Sequence, residues 1–316
     1  MASAMRLLAV LLLVACSSPS HPAPVYEEPA PAPAPVETVG EEVPPEPQPM
    51  AAPFLYEVRT NDPDVPPSYV FATLTRGLPF DRALPERLRG FLDSARVVVV
   101  AIDPNAEMNA REVQRAVLLR RGTAADLFEA RVWHTLTEEL QGRASIEQLR
   151  AMRPFAHLSS LIAERGKRLF PDSSEVMDFD LLAYARNRGA NVRALGTPLD
   201  EMRMLGSAPD TEAVQLTTLY VDHPEKLEAH LRGLLDAYLS GDEDRVATAV
   251  VDADEVALAP RMHRAWQQRP AQWFRAVRRE IDLGNAFVAL PAGAVLGDQG
   301  VLARLRAAGR LVTRVP

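Results

Sequence analysis

Apolar and polar positions begin to alternate in a regular way at Phe54. In FLYEVRT large apolar residues alternate with polar ones, as in a half-buried strand. The turn-forming run NDPDVPP follows, and SYVFATLT, Ser68 to Thr75, resumes the apolar pattern. The two runs predict an opening antiparallel pair. Pro85 then starts PERLRGFLDSA, a short helix with proline where the first turn accepts it. RVVVVAID, closing on Asp103, is an unbroken apolar run of the kind found in a strand buried on both faces.

From about Ala110 to Pro260 the period becomes helical. REVQRAVLLRR, RVWHTLTEELQ, FAHLSSLIAERGKRLF and EKLEAHLRGLLDAYLSG all carry apolar residues at helical spacing. Asp178 is placed to cap FDLLAYARNRG, whose Gly189 ends the helix before the strand NVRAL. Near the C-terminus NAFVAL reads as a strand, DQGVLARLRAAG as a helix closed by Gly309, and RLVTRV as a last strand, together a βαβ unit. The predicted fold is an α/β domain over residues 54–316. It has a mixed central sheet flanked by helices, with a large helical insertion.

Ahead of that domain, residues 1–15 carry Arg6 and then an apolar run from Leu7 to Ala15. The run is far shorter than the roughly 20 residues that span a bilayer, and it reads as a signal-peptide core. Leu13-Val14-Ala15-Cys16 resembles a bacterial lipobox, in which the cysteine is lipidated and becomes the first mature residue. Cys16 is the single cysteine, so the folded part has no disulfide and no cysteine metal site. Residues 16–53 hold no Lys or Arg and few apolar residues, in runs such as EEPAPAPAPVE. That composition predicts a disordered, extended tether, reaching on the order of 100 Å at about 3.1 Å per residue. The expected partner is a membrane, through lipidated Cys16. Ser17 behind the cysteine points, by the usual bacterial sorting pattern, to the outer membrane facing the periplasm. A formal net charge of -7 argues against nucleic-acid binding through bulk charge.

Taken in order, these segments resemble the TraB/PrgY/GumN family, which includes the TIKI-type metalloproteases. FLYEV, SYVFATL and ARVVVVAID look like its opening. MDFDLLAYARNRGANVRALGTP is similar to its segment leading into a Leu-Glu-Thr turn. NAFVALPAGAVLGDQGVLARLRAAGRLVTRV has its closing rhythm of strand, Gly-rich loop, helix, glycine and strand. The resemblance implies two GxxH motifs at strand ends and a glutamate on an intervening strand. Such a set holds one divalent cation with a position left for an activated water. Here the first motif falls on Ala72-Thr73-Leu74-Thr75, with Thr75 in the place of the histidine. The second falls on Pro291-Ala292-Gly293-Ala294, with Ala294 in that place, and the strand glutamate falls on Ala101. The glutamate of the Leu-Glu-Thr turn falls on Gly196. The family's late-helix arginine matches Arg269, with Pro270 for its Asn neighbour. Methyl groups cannot ligate a cation and one neutral hydroxyl is a poor ligand. The resemblance therefore implies a domain with no metal, no cofactor and no catalytic residue of the family type.

The remaining polar residues offer no clear replacement. His134, His157, His223, His230 and His263 lie in the helical middle without an HExxH spacing, and structural or solvent roles are expected for them. His21 lies in the tether. Asp103 is expected to cap the turn before Pro104, and Asp180 to face solvent. No G-x-S-x-G is present, Ser159-Ser160 sit inside a helical pattern, and GAVLGDQG lacks the Lys-Ser/Thr ending of a phosphate loop. Three readings follow. One is an envelope lipoprotein that binds a small ligand or an envelope protein in the old cleft. The others are a metal-dependent hydrolase with relocated ligands such as Asp103 or Glu57, and a structural envelope component.

Overall fold

A computed structural model of the chain describes residues 53–173 and 176–316. The readings on the leader, Cys16 and the tether as far as residue 52 lie outside the described residues. Six strands form one sheet: β1 (Leu55–Arg59), β2 (Ser68–Thr73), β3 (Val97–Ile102), β4 (Val192–Gly196), β5 (Ala286–Pro291) and β6 (Leu311–Arg314). Their order is β4-β3-β5-β2-β1-β6. β5 runs parallel to both of its neighbours, β2 and β3, and β4 extends the parallel set beyond β3. β1 pairs antiparallel with β2, as the two opening apolar runs predict, and β6 pairs antiparallel with β1. The sheet is mixed, as expected.

Val97 to Val100 and Ala286 to Leu290 are buried throughout. Helices cover both faces of such strands, so every position along them must be apolar. The register sets Thr73 opposite Pro291 and Ile102 opposite Gly196. All four parallel strands therefore end at the same edge of the sheet.

The helical middle is two connections with β4 between them. The β3–β4 connection holds helices such as Ala110–Val117, Ala130–Glu139, Pro154–Leu169 and Met177–Asn187. The β4–β5 connection holds Pro198–Leu205, Asp210–Asp222, Pro224–Leu239 and four more down to Arg269–Asp282. Two apolar cores result, one around the sheet and one among the helices. The helix Pro224–Leu239 spans both: Leu227 belongs to the helical core, Ala237 and Tyr238 to the sheet core. The Tyr238 hydroxyl donates to the carbonyl of Ala72 at 2.6 Å, and its ring lies 4.8 Å from that of Phe54. His157 is enclosed in the helical core against Phe128 and Trp133. Its ring nitrogens lie 3.1 and 2.9 Å from the carbonyl oxygens of Arg153 and Leu149. Burial lowers its pKa to about 4, so it is a neutral packing residue.

Two local expectations differ. The helix read over REVQRAVLLRR stops at Val117. Leu118 turns extended and bridges Met152, because Leu119 and Arg153 find backbone partners in Ala151 and Val117 across that bridge. The C-terminal βαβ unit also spans further than adjacent strands. After the helix Val301–Ala307 and Gly309 (φ 77°), β6 passes β2 and β1 to the sheet edge.

Tyr238→Phe should destabilise the fold by about 1–3 kcal/mol, because it removes the donor to a buried carbonyl while leaving the ring packed. A lower denaturant midpoint at unchanged slope is the expected result. An unchanged midpoint would show that the bond between the helical layer and β2 contributes nothing.

Candidate functional site

The topology brings the motif positions to one edge. Thr73 ends β2, Gly196 ends β4, and Ala292–Val295 forms a short helix directly behind β5. β2 and β3 flank β5, so Ala72 and Ala101 are about 10 Å apart, two strand spacings. Thr75 is exposed, whereas Ala72, Ala101 and Ala294 are buried. Pro291 is half-buried at the end of β5. These residues do not fit a divalent cation: three methyl groups and one hydroxyl offer no ligand set. Among the described residues, no group of three or more His, Cys, Asp or Glu side chains is placed to hold a metal ion.

Neither relocated ligand completes a set. Asp103 caps its turn as expected, accepting from the N–H of Asn105 at 3.0 Å, and it pairs with Arg186. Glu57 lies on β1 opposite Tyr69, four residues before Thr73 and about 13 Å from the carboxyl edge. It pairs with Arg59 and accepts from the Tyr69 hydroxyl.

Asp178 is not a cap. The N-cap position belongs to Val176, and Asp178 stands in the first turn of Met177–Asn187. Its carboxylate accepts from the Thr73 hydroxyl at 2.8 Å, and the sulfur of Met177 lies 3.5 Å from the Leu74 nitrogen. Burial pushes the Asp178 carboxyl up to about 6, with the Thr73 hydroxyl opposing. Burial and then Asp178 push the Tyr238 phenol up. Thr73 is itself buried, so this polar knot closes the end of β2. Asp180 is half-buried, not solvent-facing as expected.

A cavity of about 400 Å³ opens on the other side, beside the second motif position. Its walls include Pro291, Ala294, Trp266, Trp273, Arg269 and Glu255. Local sequence explains the placement. Asp252 caps the helix Ala253–Leu258 by accepting from the N–H groups of Asp254 and Glu255 at 2.8 and 3.4 Å, which fixes Glu255 in the first turn. Pro260 starts the next helix, Pro260–Gln267, where His263 and Trp266 share a face three residues apart. Arg269 and Pro270 open the helix Arg269–Asp282, a first turn that suits proline. One turn on, Trp273 receives the Arg269 guanidinium 5.2 Å from its ring centroid. A turn closes the far wall at Gly300, where a Cβ would collide with the carbonyl oxygens of Val295 and Leu296.

Burial, then Asp252, raises the Glu255 carboxyl to about 7. Burial lowers the His263 pKa against the pull of Asp252. The two side chains are 3.6 Å apart, longer than a hydrogen bond. Arg269 Nη2 lies 2.5 Å from Glu201 Oε1, and burial raises the Glu201 pKa against the pull of Arg269. Sequence reasoning gave His263 a bland role and passed over Trp266, Trp273 and Glu255. The one available signal was the helical spacing of Arg269 and Trp273.

Fold and site together define an α/β domain that delivers its loops to the carboxyl edge of a parallel set of strands, where such domains hold ligands. The chain belongs to the TraB/PrgY/gumN family, whose model matches residues 54–314. No curated protein and no solved structure matches it.

Asp178 carries a testable pH dependence. Its folded pKa is raised, so the stability it contributes is full below the ordinary value of 3.8 and lost as pH rises through about 6. A shift of that size corresponds to at most about 3 kcal/mol. Asp178→Asn keeps an acceptor for Thr73 and does not ionise. Its melting temperature should gain on the wild type between those two pH values; a difference constant with pH would refute the burial of the charge.

Proposed function

We propose that the domain is a non-hydrolytic member of its family that binds a small ligand in the cavity beside Ala294, on a chain anchored to the bacterial envelope through lipidated Cys16. The observation that carries the reading is the residue content of the carboxyl edge. Where the family motifs converge, this chain has Thr75, Ala101 and Ala294, and a walled cavity lies against the last of these. A catalytic divalent site needs about three protein ligands, and these positions supply none of the usual kind. The cavity falls within the 300–1,000 Å³ typical of ligand sites. The anchoring half of the reading rests on the lipobox-like Leu13-Val14-Ala15-Cys16 and on an apolar run too short to span a bilayer. Among the described residues no helix is long and apolar enough to cross a membrane.

One observation favours a second reading. A carboxyl poised at about 7 in a cavity, as Glu255 is, suits general acid–base chemistry, so a hydrolase using Glu255 in place of a metal is the alternative.

Four measurements test the proposal. After dialysis the purified chain should carry no stoichiometric zinc, manganese or cobalt. It should also show no peptidase activity, with or without chelator. One metal per chain, lost together with activity on chelation, overturns the proposal, and chelator-resistant activity abolished by Glu255→Gln establishes the alternative. Chain purified from its own membranes and then denatured should release a small molecule identifiable by mass spectrometry, and Val251→Trp at the cavity mouth should reduce its yield. Incorporation of a fatty-acid analogue should vanish in Cys16→Ala; equal labelling refutes the anchor.

A further inference from the structure

Arg269 is 5 % exposed, yet among the described residues its guanidinium meets a single acceptor group, Glu201. Its Nε and Nη2 have no hydrogen-bond partner, although Nη2 lies close to Glu201, and Oε2 of Glu201 has none either. A buried guanidinium with open donors is expensive, and the usual remedy is an oxygen acceptor brought to it. Arg269 lines the cavity, and its plane is held by the ring of Trp273 beneath it. A guanidinium held over a ring, with donors that Glu201 leaves without a hydrogen bond, is the kind of group whose planar fork matches a carboxylate.

Part of the cavity wall is apolar in a way the core does not require. Trp266 and Val251 line its mouth at 42 % and 44 % exposure. Leu296 and Pro291 add aliphatic wall. An exposed tryptophan beside a cavity is a platform for a flat or apolar body.

We infer that this cavity binds a small monocarboxylate with an aromatic or apolar body, the carboxylate meeting Arg269 and the body packing on Trp266. The inference rests on the binding-domain reading and names its ligand class. A monoanion fits better than a phosphate. Among the described residues Arg269 is the one Arg or Lys lining the cavity, and it already faces Glu201. Glu255, raised to about 7, carries part of a charge at neutral pH, and Asp298 is an exposed acid at the cavity wall. A dianion would meet these acids with a single shared cation to offset them.

The test is calorimetric titration of the full chain in detergent, against a detergent blank, with 3-phenylpropionate, its neutral amide and phenyl phosphate. Saturable binding of the carboxylate is expected, at least tenfold tighter than that of the amide or the phosphate. Trp266→Ala, at an exposed position, should weaken the carboxylate about tenfold, the size of an aromatic contact. Arg269→Lys, which keeps the charge and loses the fork, should weaken the carboxylate and leave the amide unchanged. If Arg269→Lys does not fold, the comparison of carboxylate with amide on the wild type decides alone. Equal binding of carboxylate and amide refutes the carboxylate assignment while leaving a ligand-binding cavity. Tighter binding of phenyl phosphate refutes it in favour of phosphate. Absence of saturable heat with all three probes refutes the inference, whereas the broader reading depends separately on the molecule released from native membranes.

Discussion

The parallel seat of β5 between β2 and β3 is the constraint on which the rest depends. Parallel neighbours cannot be joined by tight turns, so each connection must leave the sheet and return by way of helices. That requirement accounts for the long helical excursions on either side of β4. It also puts the ends of β2, β3, β4 and β5 at one edge, which is why residues far apart in sequence, at 75, 101, 196 and 294, share one region. A buried strand needs apolar residues throughout, and Ala101 satisfies this more simply than an unpaired glutamate would. The scaffold therefore stands without ionisable groups at Thr75, Ala101 and Ala294, the positions that the resemblance matches to the motifs.

The two halves of that edge are filled differently. At the end of β2, Tyr238 reaches the Ala72 carbonyl and Asp178 takes the Thr73 hydroxyl, so the first two residues of the first motif, Ala72 and Thr73, are tied into the core. At the end of β5 the chain turns into the short helix Ala292–Val295, and its Gly293 and Ala294 present little side chain to the helices opposite. Small residues there leave space, and the two tryptophans and Arg269 border it. This asymmetry is why a binding reading centres on Ala294 and not on Thr75.

The strands and most helices were legible in the sequence because their signals are local: period two in FLYEVRT, an unbroken apolar run in RVVVV, helical spacing in FAHLSSLIAERGKRL, glycine at the ends. The misreadings came where a distant partner overrode a local rule. Asp178 has the look of a cap, but the Thr73 hydroxyl, 105 residues away in sequence, claims its carboxylate. Leu118 has helical neighbours on its N-terminal side, but the segment Ala151–Arg153 offers its backbone better pairing. The cavity was illegible for a further reason. Its walls come from helices spread over the β4–β5 connection and from the turn after β5, and no periodicity links Glu255, Trp266 and Ala294. The resemblance singled out Arg269, yet its burial and its single acceptor exist only in the folded chain.

That burial is difficult to assign to stability. Replacing a buried ion pair by apolar residues of similar volume is often neutral or stabilising, because desolvation offsets the attraction. The Arg269–Glu201 pair is a poor case for the exception, since both partners retain buried atoms without hydrogen bonds. A well-made structural pair would fill those positions, as Arg153 does by reaching both Asp210 and the Gly206 carbonyl. The difference between the two arginines is their surroundings. Arg153 ties the start of one helix to the end of another, whereas Arg269 borders the cavity beside Ala294 with donors to spare. Incomplete pairing next to a walled space costs the unliganded protein stability that a bound oxygen can restore. A ligand that does so gains affinity from the groups the fold leaves unsatisfied, which is the physical basis on which the proposed binding would discriminate among small molecules without a metal.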